Sequence, residues 1–129
     1  MKRIKKQVKE RVYEAHLIAT KIYDDHKATK SKEEIISLIK DSLRNTRFFE
    51  GLGYFFIYDL SGKSILHPLR PDVENTYKFK HFIDLSGKEV LAEWIENLKI
   101  KNEDYSSWTF YRVDDKTKQA EKVGFYKLF

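Results

Sequence analysis

The chain has 129 residues, of which 35% are charged and 15% are aromatic, and its formal net charge is +5. This length supports one hydrophobic core rather than two, and the aromatic content argues against a disordered segment. The chain has no cysteine, which excludes disulfides, thiolate metal sites and cysteine nucleophiles. We therefore predict a single domain over residues 1–129.

Two amphipathic helices are predicted in the N-terminal third, the helical part 4–46. Between Ile4 and Asp25, apolar residues recur at spacings of four and three, which gives one stripe close to a heptad seam. This seam consists of Val8, Val12, Ala15, Ala19 and Ile22. Ser31 and Glu34 have the spacing of a capping box, so a second helix should begin at Lys32.

A β-hairpin is predicted next. Residues 54–58 are all aromatic or β-branched, and such side chains suit a pleated strand. Asp59 and Gly62 supply the turn. The second strand should stop at Pro68, which cannot donate to a ladder. Residues 69–80 lack periodicity, which indicates a loop over one face of the sheet.

The remaining chain predicts a third helix and a second hairpin. Apolar residues lie at helical spacing from Val90 to Leu98, and aromatic-rich strands are expected at Ser107–Val113 and Glu121–Phe129. The sheet part therefore covers 53–129. Antiparallel hairpins with segregated helices define an α+β fold.

One pentapeptide occurs twice, at 59–63 and 84–88, with the sequence Asp-Leu-Ser-Gly-Lys. The neighbours of the two copies differ, so we interpret the identity as shared turn chemistry rather than as a structural repeat.

The first hairpin also resembles the central hairpin of the single Cache domain, a PAS-like extracytoplasmic ligand sensor of bacterial receptors. The family pattern is a Gly-Tyr-Phe strand that ends in Asp, a turn with Gly, and a strand that ends in His-Pro. Here it is met by Gly53–Asp59, Gly62 and His67-Pro68. The resemblance implies a long N-terminal helix and a second helix packed on a PAS-like antiparallel β-sheet.

The last two strands resemble the family as well. Trp108 and Tyr111 match the first of these strands and Lys122 matches the second, although Val113 replaces the usual aromatic residue. Family domains commonly add one more strand, and an open sheet edge is unfavourable. We therefore expect the natural domain to continue beyond Phe129.

The resemblance implies a ligand pocket between the first hairpin and the 69–80 loop. Six residues are implied as ligand contacts: Arg47, Tyr54, Phe56, His67, Tyr111 and Lys122. A guanidinium grips a carboxylate through two parallel N–H bonds, so a small organic anion is the expected ligand. The alternative for Arg47 is a surface ion pair with Glu50 or Asp41.

Strand alternation divides the side chains of the first hairpin into two faces but does not say which face lines the pocket. Tyr54, Phe56 and Tyr58 share one face, and Phe55 and Ile57 share the other. Both sets are apolar, so apolarity does not say which set lines a pocket and which lines the core. The resemblance places Tyr54 and Phe56 on the pocket side, and core burial alone is the alternative.

The remaining site residues also have two interpretations. His67 either donates a hydrogen bond into the pocket or holds the turn before Pro68. Trp108 and Tyr111 lie on opposite faces of their strand, and the resemblance assigns Tyr111 to the ligand and Trp108 to the core. Lys122 either supplies a second positive charge to the ligand or serves only the structure.

No catalytic or metal site is predicted. The four histidines show no ligand spacing such as two on adjacent turns of one helix. The sequence has no P-loop, no Gly-x-Ser-x-Gly and no dinucleotide fingerprint. We therefore expect a protein that is not an enzyme and that carries no cofactor.

The resemblance implies the periplasmic sensor domain of a membrane-anchored parent. Its first helix would pass the signal to a cytoplasmic histidine kinase, chemoreceptor or diguanylate cyclase module. The 4-3-4-3 spacing of the seam suits a parallel helix pair, so we expect a weak homodimer through the first helix. The alternative is that the seam packs only within the domain.

A basic nucleic-acid-binding module is the alternative function. Residues 1–9 hold five basic residues and no acid, and exposed aromatic side chains on a sheet could stack bases. This basic cluster lies far in sequence from the first hairpin, and a solvated helix start is the favoured interpretation of it. We therefore favour the sensor and expect no nucleic-acid partner.

Overall fold

The computed structural model describes residues 2–112 and 114–129, so Val113, predicted to end a strand, lies outside the described residues. The elements are helices α1 (Lys2–His26), α2 (Lys32–Arg44) and α3 (Val90–Leu98), and strands β1 (Ile57–Tyr58), β2 (Ser64–Leu66), β3 (Glu103–Tyr111) and β4 (Gln119–Lys127). Their order confirms the predicted α+β fold. Within this part of the chain, no helix is both long and apolar enough to cross a bilayer.

The capping box at the start of α2 is confirmed. The Ser31 hydroxyl accepts a hydrogen bond from the Glu34 backbone N–H at 3.2 Å, and a Glu34 carboxylate oxygen accepts from the Ser31 N–H at 3.1 Å. These two bonds satisfy backbone donors that the first helical turn leaves free. Local side-chain chemistry therefore fixes where α2 begins.

The strands differ from the prediction in length and pairing. Strands β1 and β2 are short, whereas β3 begins at Glu103, before the predicted Ser107. The described strands form two separate antiparallel pairs, β1–β2 and β3–β4, rather than one continuous ladder. Aromatic side chains connect the two pairs, since the Trp94 ring centroid of α3 lies 5.3 Å from those of both Phe56 and Trp108.

The first core lies between α1, α2 and the first hairpin. Its buried members are Ala15, Ala19, Ile35, Ile39, Leu43, Phe55 and Leu66. Small alanine side chains let α2 approach α1 closely, and aliphatic residues of α2 fill the remaining space. Phe55 and Leu66 then attach the hairpin to the helix pair.

This core corrects the expectation for the α1 seam. Val8, Ala15 and Ala19 are each only 7% exposed within a single copy of the chain. The seam that was expected to pair two copies is therefore occupied by the domain's own core. The structure therefore supports the alternative interpretation, in which the seam packs within the domain, and self-association of the domain stays a prediction.

Hairpin β3–β4 presents two distinct faces. On one face, Tyr126 stacks on Trp94 of α3 with ring centroids 5.4 Å apart. On the other, Phe125 meets Tyr13 of α1 edge to face at 5.9 Å. Because neighbouring residues of a strand point to opposite sides, this hairpin separates α1 from α3 and contacts both.

The two Asp-Leu-Ser-Gly-Lys copies adopt the same turn, as predicted. In each, one carboxylate oxygen of Asp59 or Asp84 accepts three bonds at 2.6–3.0 Å: from the serine N–H, the serine hydroxyl and the lysine N–H. Gly62 and Gly87 have φ of 95° and 91°, a region that favours glycine. Asp84 differs in one respect, since its second oxygen accepts from the Thr109 N–H at 2.9 Å.

Candidate ligand-binding site

The first hairpin has one face on α1 and α2 and one face toward α3. Phe55 is buried in the core with α1 and α2. Tyr54, Phe56 and Tyr58 contact each other in sequence, with ring centroids of neighbouring members 6.3 and 5.8 Å apart, and Phe56 and Tyr58 pack on the α3 side. The face that the resemblance assigns to the pocket therefore packs toward α3 rather than toward α1 and α2.

These rings belong to a continuous aromatic cluster that joins the first hairpin, the following loop, α3 and β3–β4. Its members are Tyr54, Phe56, Tyr58, His67, Phe79, Phe82, Trp94, Trp108, Phe110 and Tyr126. Neighbouring ring centroids are 5.2–6.3 Å apart. Such distances are those of favourable edge-to-face and offset contacts.

The 69–80 loop, predicted to lie over one face of the sheet, bonds to the backbone edge of β2. The Asn75 N–H donates to the Ser64 carbonyl at 2.7 Å, and the Ser64 N–H donates to the Thr76 carbonyl at 3.0 Å. Val73 is buried beneath the loop. Phe79 then contacts the His67 ring, which brings the end of the loop into the aromatic cluster.

Glu74 ties this loop to α2. Its carboxylate accepts two bonds from the Arg44 guanidinium at 2.7 and 2.8 Å, and it lies 3.3 Å from the Lys40 ammonium. It also accepts from the His67 backbone N–H at 2.9 Å. The hydrogen bonds from Arg44 lower the pKa of Glu74 to about 2, so the carboxylate is charged at neutral pH.

His67 holds the turn that follows β2. Its Nδ1 accepts a hydrogen bond from the Arg70 backbone N–H at 3.2 Å. The neutral imidazole therefore carries its hydrogen on Nε2. Burial lowers the pKa of His67, which keeps the ring neutral at pH 7 and leaves Nε2 as a donor beside Tyr54 and Phe79.

Arg47 lies at one edge of the cluster and has no carboxylate partner among the described residues. Its guanidinium is 5.7 Å from the Tyr54 ring and donates to the Gly51 carbonyl at 2.7 Å and the Gly53 carbonyl at 3.2 Å. Neither of the predicted surface partners, Glu50 or Asp41, bonds to it in the described structure. The turn that it holds contains Phe49 and Glu50 at φ of 51° and 56°, which is strained for such residues.

Lys122 lies on the cluster face of β4. It pairs across the ladder with Trp108, so the two side chains share a face. Lys122 is half-buried, and burial lowers its pKa. No ion pair to Lys122 occurs in the part of the chain that the structure describes. Burial thus removes part of its charge from water, and the nearby Asp114 carboxylate, which is already paired with Arg112, offsets only part of that effect.

Tyr111 stands apart from the other five predicted contacts. It is 41% exposed and contacts the cluster only at Phe110, with ring centroids 5.2 Å apart. Trp108 packs on the core around Trp94, as the resemblance implied, and occupies the strand face toward Trp94 and Phe56. The position expected for Tyr111 beside the first hairpin is therefore taken by Trp108.

The sequence did not predict Tyr58 and Trp94 as ligand contacts, although both carry polar groups in the cluster. Burial raises the pKa of both Tyr54 and Tyr58, so their hydroxyls stay protonated and can donate. Trp94 appeared only as an apolar position of α3. The signal for Tyr58 was its parity with Tyr54 and Phe56, and the signal for Trp94 was an indole N–H on a buried helix face.

Two open clefts lie outside this cluster. One, of about 600 Å³, runs along the outer face of α3 and is lined by residues that include Lys88, Glu93 and Glu96. The other lies between α1 and Phe49. Neither is lined by any of the six predicted contacts. Within the aromatic cluster the rings touch, so a ligand must separate them to enter.

The comparison with protein families identifies the class of domain. The model of the Cache domain matches residues 1–129. The chain therefore belongs to the Cache domain family, which confirms the resemblance carried by the first hairpin. Cache domains are ligand-binding, extracytoplasmic sensor domains of signal-transduction receptors.

Solved structures agree with this assignment. A periplasmic sensor domain of a chemotaxis protein matches with a TM-score of 0.87 at 17% identity, over 98% of this chain and 87% of that one. A Cache chemosensory domain studied for carboxylic acid recognition gives 0.87 at 19% identity, over 99% and 86%. A methyl-accepting chemotaxis protein from Vibrio parahaemolyticus gives 0.70 at 27% identity, over 95% and 77%. The first two show the shared fold alone.

Proposed function

We propose that this domain senses a short carboxylate that binds at the aromatic cluster. The observation that carries the proposal is Lys122, a half-buried ammonium without an ion-pair partner among the described residues, on the face shared with Trp108. A carboxylate beside Lys122 compensates its desolvated charge. Aromatic walls around a few polar groups are typical of small-molecule sites.

The other groups of the cluster complete the proposed site. Tyr54, Tyr58 and His67 contribute neutral donors, and the Phe56 ring contacts the apolar part of the ligand. Arg47 lies at the Tyr54 edge, where its charge draws anions toward the site. The structurally similar Cache domain that recognises carboxylic acids supports this ligand class.

Hairpin β3–β4 offers the route from the ligand to α1. Lys122 and Trp108 face the aromatic cluster, whereas Phe125 of the same hairpin packs on Tyr13 of α1. Separation of the rings by a ligand therefore displaces a hairpin whose other face rests on α1. A ligand that binds the displaced state better shifts the population toward it.

We further propose that the parent protein is anchored in the membrane, with this domain outside the cytoplasm. The output module is then a cytoplasmic histidine kinase, chemoreceptor or diguanylate cyclase. The similarity to a methyl-accepting chemotaxis protein supports a receptor parent. Alkaline phosphatase inserted after residue 129 of the full-length parent should be active, because that enzyme matures only outside the cytoplasm. Inactivity of a stably expressed fusion would contradict the placement.

A thermal-shift titration tests the ligand class. At least one of four short carboxylates should raise the melting temperature by mass action: acetate, propionate, pyruvate or lactate. The neutral amides acetamide and propionamide should leave the melting temperature unchanged. Lys122→Gln should lower the affinity of the domain for that carboxylate about tenfold or more, since the substitution removes a charge-assisted bond. Lys116→Gln is the matched control, because Lys116 is exposed in the turn of the same hairpin.

Two results would overturn the proposal. One is that no carboxylate stabilises the folded wild-type domain. The other is that Lys122→Gln and Arg47→Ala both retain full wild-type affinity for every carboxylate that binds, which would place the anion elsewhere.

A further inference from the structure

Trp94 carries a polar group that the described fold leaves without a partner. The residue is 7% exposed, and its indole Nε1 is buried with no hydrogen-bond acceptor among the described residues. Buried donors are nearly always paired, so an unpaired one calls for an explanation in a ligand, a water molecule or strain.

The surroundings hold this indole in place. Trp94 stacks with Phe56 at 5.3 Å and 14° between planes, and with Tyr126 at 5.4 Å and 22°. Trp108 meets it edge to face at 5.3 Å. With its neighbours stacked against it, the ring cannot turn its N–H toward solvent without breaking these contacts.

A second unpartnered group lies on the same side. The Ser106 hydroxyl is buried without a partner in the described structure, and Ser106 is 8% exposed. Ser106 is two residues from Trp108 on β3, so it shares the cluster face with Trp108 and with Lys122 across the ladder. The Ser106 hydroxyl and the half-buried Lys122 ammonium thus lie on the hairpin face that meets Trp94 of α3.

We propose that Trp94 Nε1 donates a hydrogen bond to the carboxylate ligand, whose charge is balanced by Lys122. This inference rests on the proposed function and makes it more specific. It centres the ligand between Phe56, Trp94 and Trp108, at the α3 side of the cluster, rather than at Arg47. Lys122 is the cation directly across the ladder from Trp108, and Arg112 is already paired with Asp114, which favours a monocarboxylate with a short apolar tail over a dicarboxylate.

Indole resonances provide a direct test. The chain has two tryptophans, so the ¹H–¹⁵N spectrum contains two indole N–H signals that Trp94→Phe and Trp108→Phe assign. On titration with propionate, the Trp94 signal should move downfield and its solvent exchange should slow, whereas propionamide should leave both unchanged. Trp94→Phe should lower propionate affinity about tenfold or more. Trp108→Phe, the matched control, keeps the Trp94 N–H donor and should lower propionate affinity less than Trp94→Phe does.

The outcomes separate this inference from the proposed function. If propionate binds in a Lys122-dependent way while the Trp94 signal stays unchanged and Trp94→Phe retains affinity, Trp94 is not the donor and the carboxylate site stands. If neither propionate nor any other short carboxylate binds, both are wrong. Succinate binding more tightly than propionate would contradict the monocarboxylate assignment.

Loss of folding in Trp94→Phe would be resolved by a closer isostere. Benzothienylalanine replaces the indole N–H with sulfur and keeps the two-ring shape. Introduced at position 94 in a Trp108→Phe background, it should reduce propionate affinity about tenfold relative to that background. Equal affinity in the two proteins would overturn the inference.

Discussion

The Tyr13 hydroxyl donates to a Glu103 carboxylate oxygen at 2.6 Å and thereby joins α1 to the first residue of β3. The other Glu103 oxygen accepts from the Lys127 ammonium at 3.0 Å. The bond from Tyr13 is the main reason that the pKa of Glu103 is lowered. One carboxylate therefore connects the long helix to both strands of the hairpin that carries Lys122.

Tyr13→Phe should raise the pKa of Glu103 toward its usual value of about 4.3. A lowered pKa stabilises the fold above the unfolded value, and this contribution is lost as the pH falls through the folded value. The variant should therefore be less stable near pH 7 and lose less stability in acid. A ¹³C NMR titration of the Glu103 carboxyl checks this, with Tyr23→Phe on an exposed ring of α1 as control. An unchanged Glu103 pKa would contradict the expectation.

Glu74→Gln should destabilise the domain at neutral pH by about 3 kcal/mol. This figure follows from the lowered pKa of Glu74, because each pKa unit corresponds to about 1.4 kcal/mol of folding free energy. The wild type should retain this stability above about pH 4.3 and lose it as the pH falls toward 2, because protonation breaks the pair with Arg44. The variant should lack that loss. Urea unfolding at several pH values measures both effects.

Asp72→Asn is the control for Glu74, since Asp72 lies in the same loop and its side chain is 63% exposed, paired with Arg70. Exposed pairs contribute little, so this variant should change stability by no more than about 1 kcal/mol. Equal effects of the two variants would show that Glu74 is not a special link between α2 and the loop.

Ala15→Glu and Ala19→Glu should each destabilise or unfold the domain, because both alanines are buried against aliphatic residues of α2. An uncompensated buried charge costs about 3–5 kcal/mol. Leu17→Glu on the same helix should fold normally, since Leu17 is 69% exposed. Chemical denaturation followed by circular dichroism gives the comparison. Stable alanine variants that lose only self-association in analytical ultracentrifugation would restore the dimer seam.

Asp84→Ala should destabilise the domain more than Asp59→Ala does. The two carboxylates close identical turns, but only Asp84 also accepts a backbone N–H from β3, at Thr109. The bond from Thr109 makes the largest contribution to lowering the pKa of Asp84 to about 2. Thermal unfolding of the two variants under one condition tests this internally matched pair. Equal losses would mean that the bond to Thr109 adds nothing to the turn.

Local chemistry in the sequence predicted much of the fold. The Ser31–Glu34 box determines the start of α2, and the two Asp-Leu-Ser-Gly-Lys turns form as expected because short-range bonds fix both. Strand parity also predicted that Tyr54 and Phe56 would share a face. Each of these features depends on residues within a few positions of one another.

Features that depend on distant residues were harder to predict. The heptad spacing of α1 suits a helix partner, but spacing does not say whether that partner is a second copy or α2. Parity showed that Trp108 and Tyr111 face opposite sides, but the side that meets Phe56 is set by where α3 packs. The unpaired N–H of Trp94 is likewise visible only once Phe56, Trp94 and Tyr126 are brought together.

The approach of Phe48 to Gly53 has a consequence for related sequences. The two residues form an isolated bridge, and a Cβ atom at position 53 would overlap the Phe48 ring. That ring packs against the first core. Substitution at either position is thus constrained by the other, and homologues should either keep glycine opposite the aromatic ring or exchange both residues together. An alignment of Cache domains would show this as covariation between the positions equivalent to Phe48 and Gly53.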